Sequence, residues 1–263
     1  MKRSLSLFSL FFLVVIIINL QSSLPNSIRS YPSFTPPQIW IPPHLGSDPL
    51  GRDYTPRIQV AIATSLRISL LALAITLSLS ITITLICSHL SSVISNALRY
   101  ILRILFIIPS VLLASSLLHS TKHIHLTLII TLSLALLYPL VHMMHALLEM
   151  QKKESYWLVS QSLGGSKWLF IKKHQIPYLL WHSIPIAFSR FPRLLVLEST
   201  LSFLGIGIQE PNLSLGLLLQ QSLPYAQSHR YLFYIPVFSF ISLLFLLQWI
   251  GLYIPTLLKK AQV

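Results

Sequence analysis

Apolar residues in this chain gather into six blocks, 5–20, 62–87, 100–118, 126–148, 184–204 and 231–252, with polar, Pro-marked or cationic segments between them. A hydrocarbon core of about 30 Å needs roughly 20 mostly apolar helical residues, because backbone groups in lipid have to satisfy one another. The pattern therefore predicts an all-α polytopic membrane protein with about six transmembrane helices. The first block is short and follows Lys2-Arg3, as a signal peptide would. No small-x-small cleavage site follows it, so residues 1–21 are expected to be a retained anchor.

Three longer segments lie between the blocks. Residues 22–60 form an expected extracytoplasmic segment, rich in Pro and Ser through Arg57, with Pro36-Pro37 and Pro42-Pro43 favouring extended or turned backbone. Residues 205–230 read as an outer loop broken by Gly205, Gly207, Pro211, Gly216 and Pro224. Residues 149–183 are too long for a simple turn. Within them an apolar stretch with Tyr156 and Leu158 meets Gly164-Gly165, and Ser166 is placed to cap a second short helix running through Trp168, Ile171 and His174 before Pro177. That second helix mixes Trp168, Leu169 and Phe170 with Lys167, Lys172 and Lys173, a surface suited equally to anionic lipid and to a partner's groove. The helical core is expected over 61–256, with a tail at 257–263.

Composition agrees with the membrane reading: 54% of residues are hydrophobic and 10% charged, mean hydropathy is +0.71, and a soluble domain carries about 25% charged residues. A formal charge of +13, from 19 Lys and Arg against six acids, would suggest nucleic acid on a soluble protein. Here it follows topology, and no nucleic-acid partner is expected. With six spans and the N-terminus inside, most of the cations, among them Arg99, Arg103, Lys152, Lys153, Arg190 and Arg193, fall on or near the inner face. The positive-inside rule then places both termini in the cytoplasm. Cys87 is the only cysteine and cannot form an intrachain disulfide.

One order of residues is more specific than any composition: Glu198-Ser199-Thr200-Leu201-Ser202-Phe203-Leu204-Gly205-Ile206-Gly207-Ile208-Gln209. It resembles the E-A-S-L-S-F-L-G-L-G-V-Q segment of C-type inner-membrane permease subunits of dipeptide, oligopeptide and nickel ABC importers. His44-Leu45-Gly46-Ser47-Asp48-Pro49-Leu50-Gly51-Arg52-Asp53 is similar to the H-P-L-G-T-D-x-L-G-R-D segment that precedes the second span there. Residues 65–70 and Ile108-Pro109-Ser110-Val111-Leu112-Leu113-Ala114 continue the likeness. In the family's cytoplasmic EAA loop, Leu158, Val159 and Ser160 would take the E-A-A positions, Gly164 the glycine, and Ile176-Pro177 the L-P pair, without the leading Glu.

The resemblance implies a type I ABC importer permease fold and a subunit of the bacterial cytoplasmic membrane. Its implied partners are a homologous second permease, two ABC ATPase subunits docked on the loop around Tyr156, Gly164 and Ser166, an extracytoplasmic solute-binding protein and the lipid bilayer. Asp48, Gly51, Arg52, Asp53, Gly205 and Gly207 would shape the outer face. Arg103 stands where the family often has Asp, Arg190 and Arg193 where it has small residues, and Leu215 where it has Trp.

The residues offer no catalytic site. G-x-x-x-x-G-K-[ST] does not occur, so ATP and Mg are expected on the partner ATPases and no cofactor on this chain. Arg190, Arg193 and Glu198 lie in or at the edges of the fifth block, where ionisable groups are costly. Glu198 then either faces the subunit interface or pathway, or pairs with a neighbouring helix. His142 and His145, with His119, His123 and His125, raise a membrane metalloenzyme as an alternative, though no H-E-x-x-H motif supports it and no metal is expected. Nickel or another small solute is the second alternative, since the separate binding protein selects the cargo.

Overall fold

The computed structural model describes residues 31–38, 43–120, 123–151, 153 and 171–260. Among these the chain is helical, with seven α-helices, a π-helical turn, a short 3-10 helix (Leu223–Tyr225) and one isolated bridge between Ser47 and Asp53. We number them α1 (Tyr54–His89), α2 (Ser92–Ile107), α3 (Ser110–Ser120), α4 (Ile124–Gln151), α5 (Ile176–Phe203), α6 (Leu215–Ser222) and α7 (Arg230–Lys260).

Helix α1 starts within the stretch expected to be extended. Asp53 has extended backbone and its carboxylate accepts a hydrogen bond from Thr55 N at 2.8 Å, so the N-terminal donors are capped at Tyr54. The block 100–118 is not one straight span. Ile108 is extended at ψ 124°, as the steric bulk of Pro109 requires, and α2 and α3 meet there at 85°. Pro109 then opens α3, its carbonyl accepting from Leu112 N at 3.0 Å and Leu113 N at 3.2 Å.

On the other side of the undescribed stretch 154–170, a π-helical turn, Ile171–Gln175, runs directly into α5. Pro177 was expected to follow the end of a short helix, but it sits in the first turn of α5, where a missing N–H costs no intrahelical bond. The expected outer loop 205–230 contains α6, started by Ser214, whose hydroxyl accepts from Leu217 N at 3.2 Å.

Helices α1, α4 and α5 form the centre of the bundle, and α6 and α7 pack on α5. Leu66, Leu132, Leu136, Leu140, Phe191 and Leu195 fill it. Small and hydroxylated residues let α1 and α4 approach: Ser133 Oγ donates to Ala72 O at 3.2 Å and Thr76 Oγ1 to the same carbonyl at 2.6 Å. Such contacts suit helix pairs in lipid, where apolar side chains gain nothing over lipid tails. By length and composition α1, α4 and residues 230–254 of α7 are apolar enough to cross a membrane, and the bent α2–α3 pair makes a fourth if counted as one span. Helix α5, which contains the block 184–204, is not among them. It carries Arg190, Arg193 and Glu198, of which Glu198 is buried and Arg193 exposed. The block 5–20 lies outside the described residues.

Gly216 fixes how α6 sits on α5. A Cβ there would come within 2.0 Å of Ser199 O, so only glycine permits the approach. Gly216→Ala is expected to destabilise the protein by about 1–3 kcal/mol through overpacking, read as a lower thermal unfolding midpoint in detergent. An unchanged midpoint would mean that α6 is not seated on α5 as described.

Candidate functional site

At one end of the bundle the turn 44–53 is locked by its own acid. Asp48 Oδ1 accepts from Leu50 N and Arg52 N, both at 2.9 Å, and Oδ2 from Arg52 Nε at 2.6 Å. Gly51 N donates to Asp48 O at 2.9 Å to close the turn. Arg57, one turn into α1, is 7% exposed. Its Nε lies 3.6 Å from Asp48 Oδ2, and its Nη2 reaches Glu210 Oε1 at 3.3 Å and Gln221 Oε1 at 3.1 Å. Arg52 also reaches Glu210, at 3.4 Å.

This arginine pair clasps three segments distant in sequence: the 44–53 turn, the loop after α5 and helix α6. Tyr54 and Tyr231 add to the clasp, donating to Leu232 O at 2.9 Å and Ser47 O at 2.8 Å. Asp48, Arg52, Tyr54, Arg57, Glu210 and Gln221 line part of a cavity of about 350 Å³. Partial burial pushes the Glu210 carboxyl up, but its hydrogen bond to Gln221 and the guanidinium groups of Arg52 and Arg57 outweigh that and hold it below the usual carboxylate range.

Glu198, near the end of α5, has no exposed surface. Ser202 Oγ donates to its Oε1 at 2.9 Å and Ser199 Oγ to its Oε2 at 3.1 Å, and the hydroxyls of Ser65 and Ser214 lie next to it. These hydroxyls serve twice. Ser65 Oγ also accepts from Leu215 N at 3.1 Å, and Ser202 Oγ from Ile208 N at 3.1 Å. One buried carboxyl group thus ties α1, α5 and the start of α6 together. Gly205, at φ +75°, turns the chain out of α5 in a left-handed conformation suited to glycine, and Gly207 N donates back to Leu201 O at 2.9 Å. Arg190 and Arg193 do not join Glu198. Arg190 Nη2 contacts Met143 Sδ at 3.6 Å, and Arg193 is exposed.

At the opposite end, three helix termini converge. Gln151 Nε2 donates to His174 O at 3.3 Å, and His89 Nε2 lies 3.2 Å from Gln175 Oε1. Ile176 and Pro177 begin α5 beside this contact. Tyr156, Leu158, Val159, Ser160, Gly164 and Ser166 lie outside the described residues. Among the described residues no three His, Cys, Asp or Glu side chains converge as a metal site. His145 lies 3.9 Å from Glu149, and His142 stands beside Tyr138.

Residues 79–260 match the family described as "Binding-protein-dependent transport system inner membrane component". The chain belongs to that family of ABC importer permeases. It is 25% identical over 210 residues to the "Dipeptide transport system permease protein DppC" of Lactococcus lactis subsp. cremoris (strain MG1363), covering 79% of this chain and 61% of the relative. It is 27% identical over 200 residues to the protein of the same name from Bacillus subtilis (strain 168), covering 76% and 62%. The chain thus spans about three fifths of the length of these relatives. A structure described as "Inward facing conformations of the MetNI methionine ABC transporter: CY5 native crystal form" shares the fold, with TM-score 0.58, 18% identity, 77% of this chain and 94% of that one covered.

Asp48, Gly51, Arg52 and Asp53, picked out by the sequence, gather in the turn at the clasp, and Gly205 and Gly207 follow α5 beneath it. Sequence reading missed Arg57 and Glu210 as partners, and Ser65 and Ser214 as neighbours of Glu198. A residue pair 153 positions apart leaves no periodic mark, whereas Glu210 directly follows the Glu198 motif and could have been weighed as its end.

Because the folded Glu210 carboxyl lies below its ordinary value of 4.5, the unfolded chain takes up the proton first on acidification. Its stabilising contribution is complete above pH 4.5 and is lost as pH falls through the folded value. The stability gap between wild type and Glu210→Gln is expected to be open at neutral pH and to close on acidification, measured by thermal unfolding across that range. A gap independent of pH would remove Glu210 from the clasp.

Proposed function

We propose that this chain is the membrane permease subunit of an ATP-driven importer of peptides. It pairs with a homologous second permease to enclose a pathway, takes its cargo from an extracytoplasmic solute-binding protein at the end bearing the Asp48–Arg57–Glu210 clasp, and meets two ABC ATPase subunits through the 149–183 loop. ATP and Mg belong to those ATPases. Both chain termini face the cytoplasm on this reading.

The observation that carries the proposal is polarity within one bundle. The 44–53 turn and the 198–210 segment meet at one end, while the ends of α1 and α4 and the start of α5, the last two of which flank residues 152–170, meet at the other. Helix α5 has 28 residues and runs about 42 Å from one end to the other, which gives closure of the ATPases a stiff route to the outer face. Rigid-body rocking of the two permeases is the corresponding motion. Peptide as cargo is supported by the two dipeptide permeases among the relatives.

The test uses the full chain expressed with its neighbouring transport subunits. Wild type is expected to co-purify with an ATPase and a second permease and to support ATP-dependent accumulation of labelled dipeptide in vesicles. Gly164→Pro is expected to remain in the membrane and lose both. Accumulation of Ni²⁺ in place of peptide would contradict the cargo, and a wild-type chain that purifies alone would contradict the assembly.

A further inference from the structure

Helix α2 carries its polar residues on one side and turns that side toward α4. Asn96, Arg99, Tyr100 and Arg103 from α2 and Tyr138 and His142 from α4 line a cavity of about 210 Å³. Two arginines and an imidazole face one space, and no Asp or Glu lines it. Arg99 hydrogen-bonds to Asn96 through Nη2, but its Nε is buried without a hydrogen-bond partner. Arg103 has no acidic partner among the described residues. The nearest acid further along α4, Glu149, lies beside His145 instead. Two guanidinium groups with no acid beside them make the recess a place where an anion would gain charge-assisted hydrogen bonds.

The apolar residues of α2 beside this recess are open: Val93, Ile104 and Ile107, which flank Tyr100 and Arg103 along the helix, are 76%, 62% and 72% exposed, and Ile94 and Ile101 extend the apolar surface around the helix. A cationic recess next to an exposed apolar helix face matches an amphiphile: a phosphate in the recess and acyl chains along the helix. A soluble anion would use only the first feature.

We propose that the α2–α4 cavity binds the headgroup of an anionic phospholipid. Arg99 and Arg103 hold the phosphate, and the Tyr138 hydroxyl and His142 ring are placed to donate to its oxygens or to the glycerol linkage. The site stands on the cavity itself. Only its assignment to the inner leaflet rests on the topology proposed above, in which the start of α2 and the last turns of α4 are cytoplasmic. Basic pockets between helices on that side are a recurrent solution for holding acidic lipid.

Native mass spectrometry of the full chain with its co-purified subunits, released from detergent containing equal phosphatidylglycerol and phosphatidylcholine, tests this. Wild type is expected to retain phosphatidylglycerol with about 30-fold preference, from two arginines near the headgroup plane. The exposed Arg103→Gln should lower the preference roughly fivefold, and Arg99→Gln/Arg103→Gln should abolish it. Arg67→Gln, a cation of α1 outside the cavity, should leave the preference intact. Equal retention of the two lipids by wild type, or a preference unchanged by Arg103→Gln, would overturn the proposal. So would displacement of the lipid by millimolar inorganic phosphate, which would assign the recess to a soluble anion. Because lipid retention is read without transport, a failed peptide-uptake experiment leaves this result interpretable.

Discussion

A carboxyl group sealed from solvent has to have its oxygens hydrogen-bonded, since burying it unsatisfied costs several kcal/mol, and Glu198 imposes that requirement on everything around it. Its hydrogen bonds come from Ser199 and Ser202 on α5, with the hydroxyls of Ser65 on α1 and Ser214 before α6 beside it. Two of those hydroxyls also accept backbone N–H groups from Leu215 and Ile208. The path of the chain after α5 is therefore tied to the same atom group that joins α5 to α1. Moving any one of these elements exposes unpaired donors as well as an unpaired acid.

The outer clasp extends this arrangement by charge. Arg57 leaves α1 two turns before Ser65 and meets Glu210, which leaves the loop directly above Glu198 in sequence order, so α1 and the post-α5 loop are joined twice, once by hydroxyls and once by guanidinium. Asp48 then orders the 44–53 turn against the same arginine. At the other end, among the described residues, Gln151 Nε2 hydrogen-bonds to His174 O and the His89 ring to Gln175 Oε1.

Lipid spans were legible because a run such as 62–87, 126–148 or 231–252 has to be apolar over its whole length, and that leaves a mark no averaging removes. The bend at Pro109 was not, since the hydropathy of 100–118 is unaffected by the loss of one N–H, although Ile108-Pro109 stood in plain sight. Helix α6 was hidden for another reason. Its flanking Gly and Pro residues are breakers in isolation, and Gly216 is there for close packing on Ser199, a tertiary demand. Within the site, the Asp48–Arg52 contact is local and the 44–53 motif pointed to it. The Arg57–Glu210 pair and the Ser65 and Ser214 contacts to Glu198 join residues far apart in sequence, and such pairs become visible only once the bundle is folded.

The central claim is that the clasp and the 149–183 loop occupy opposite sides of the membrane. Cys87 is the only native cysteine and is buried, so single cysteines can be introduced on a silent background. Intact cells carrying Glu210→Cys or Lys153→Cys, treated with a membrane-impermeant maleimide, give the most direct reading. Glu210→Cys is expected to be labelled in intact cells and Lys153→Cys only after lysis. Labelling of both in intact cells, or of Lys153→Cys alone, would contradict it.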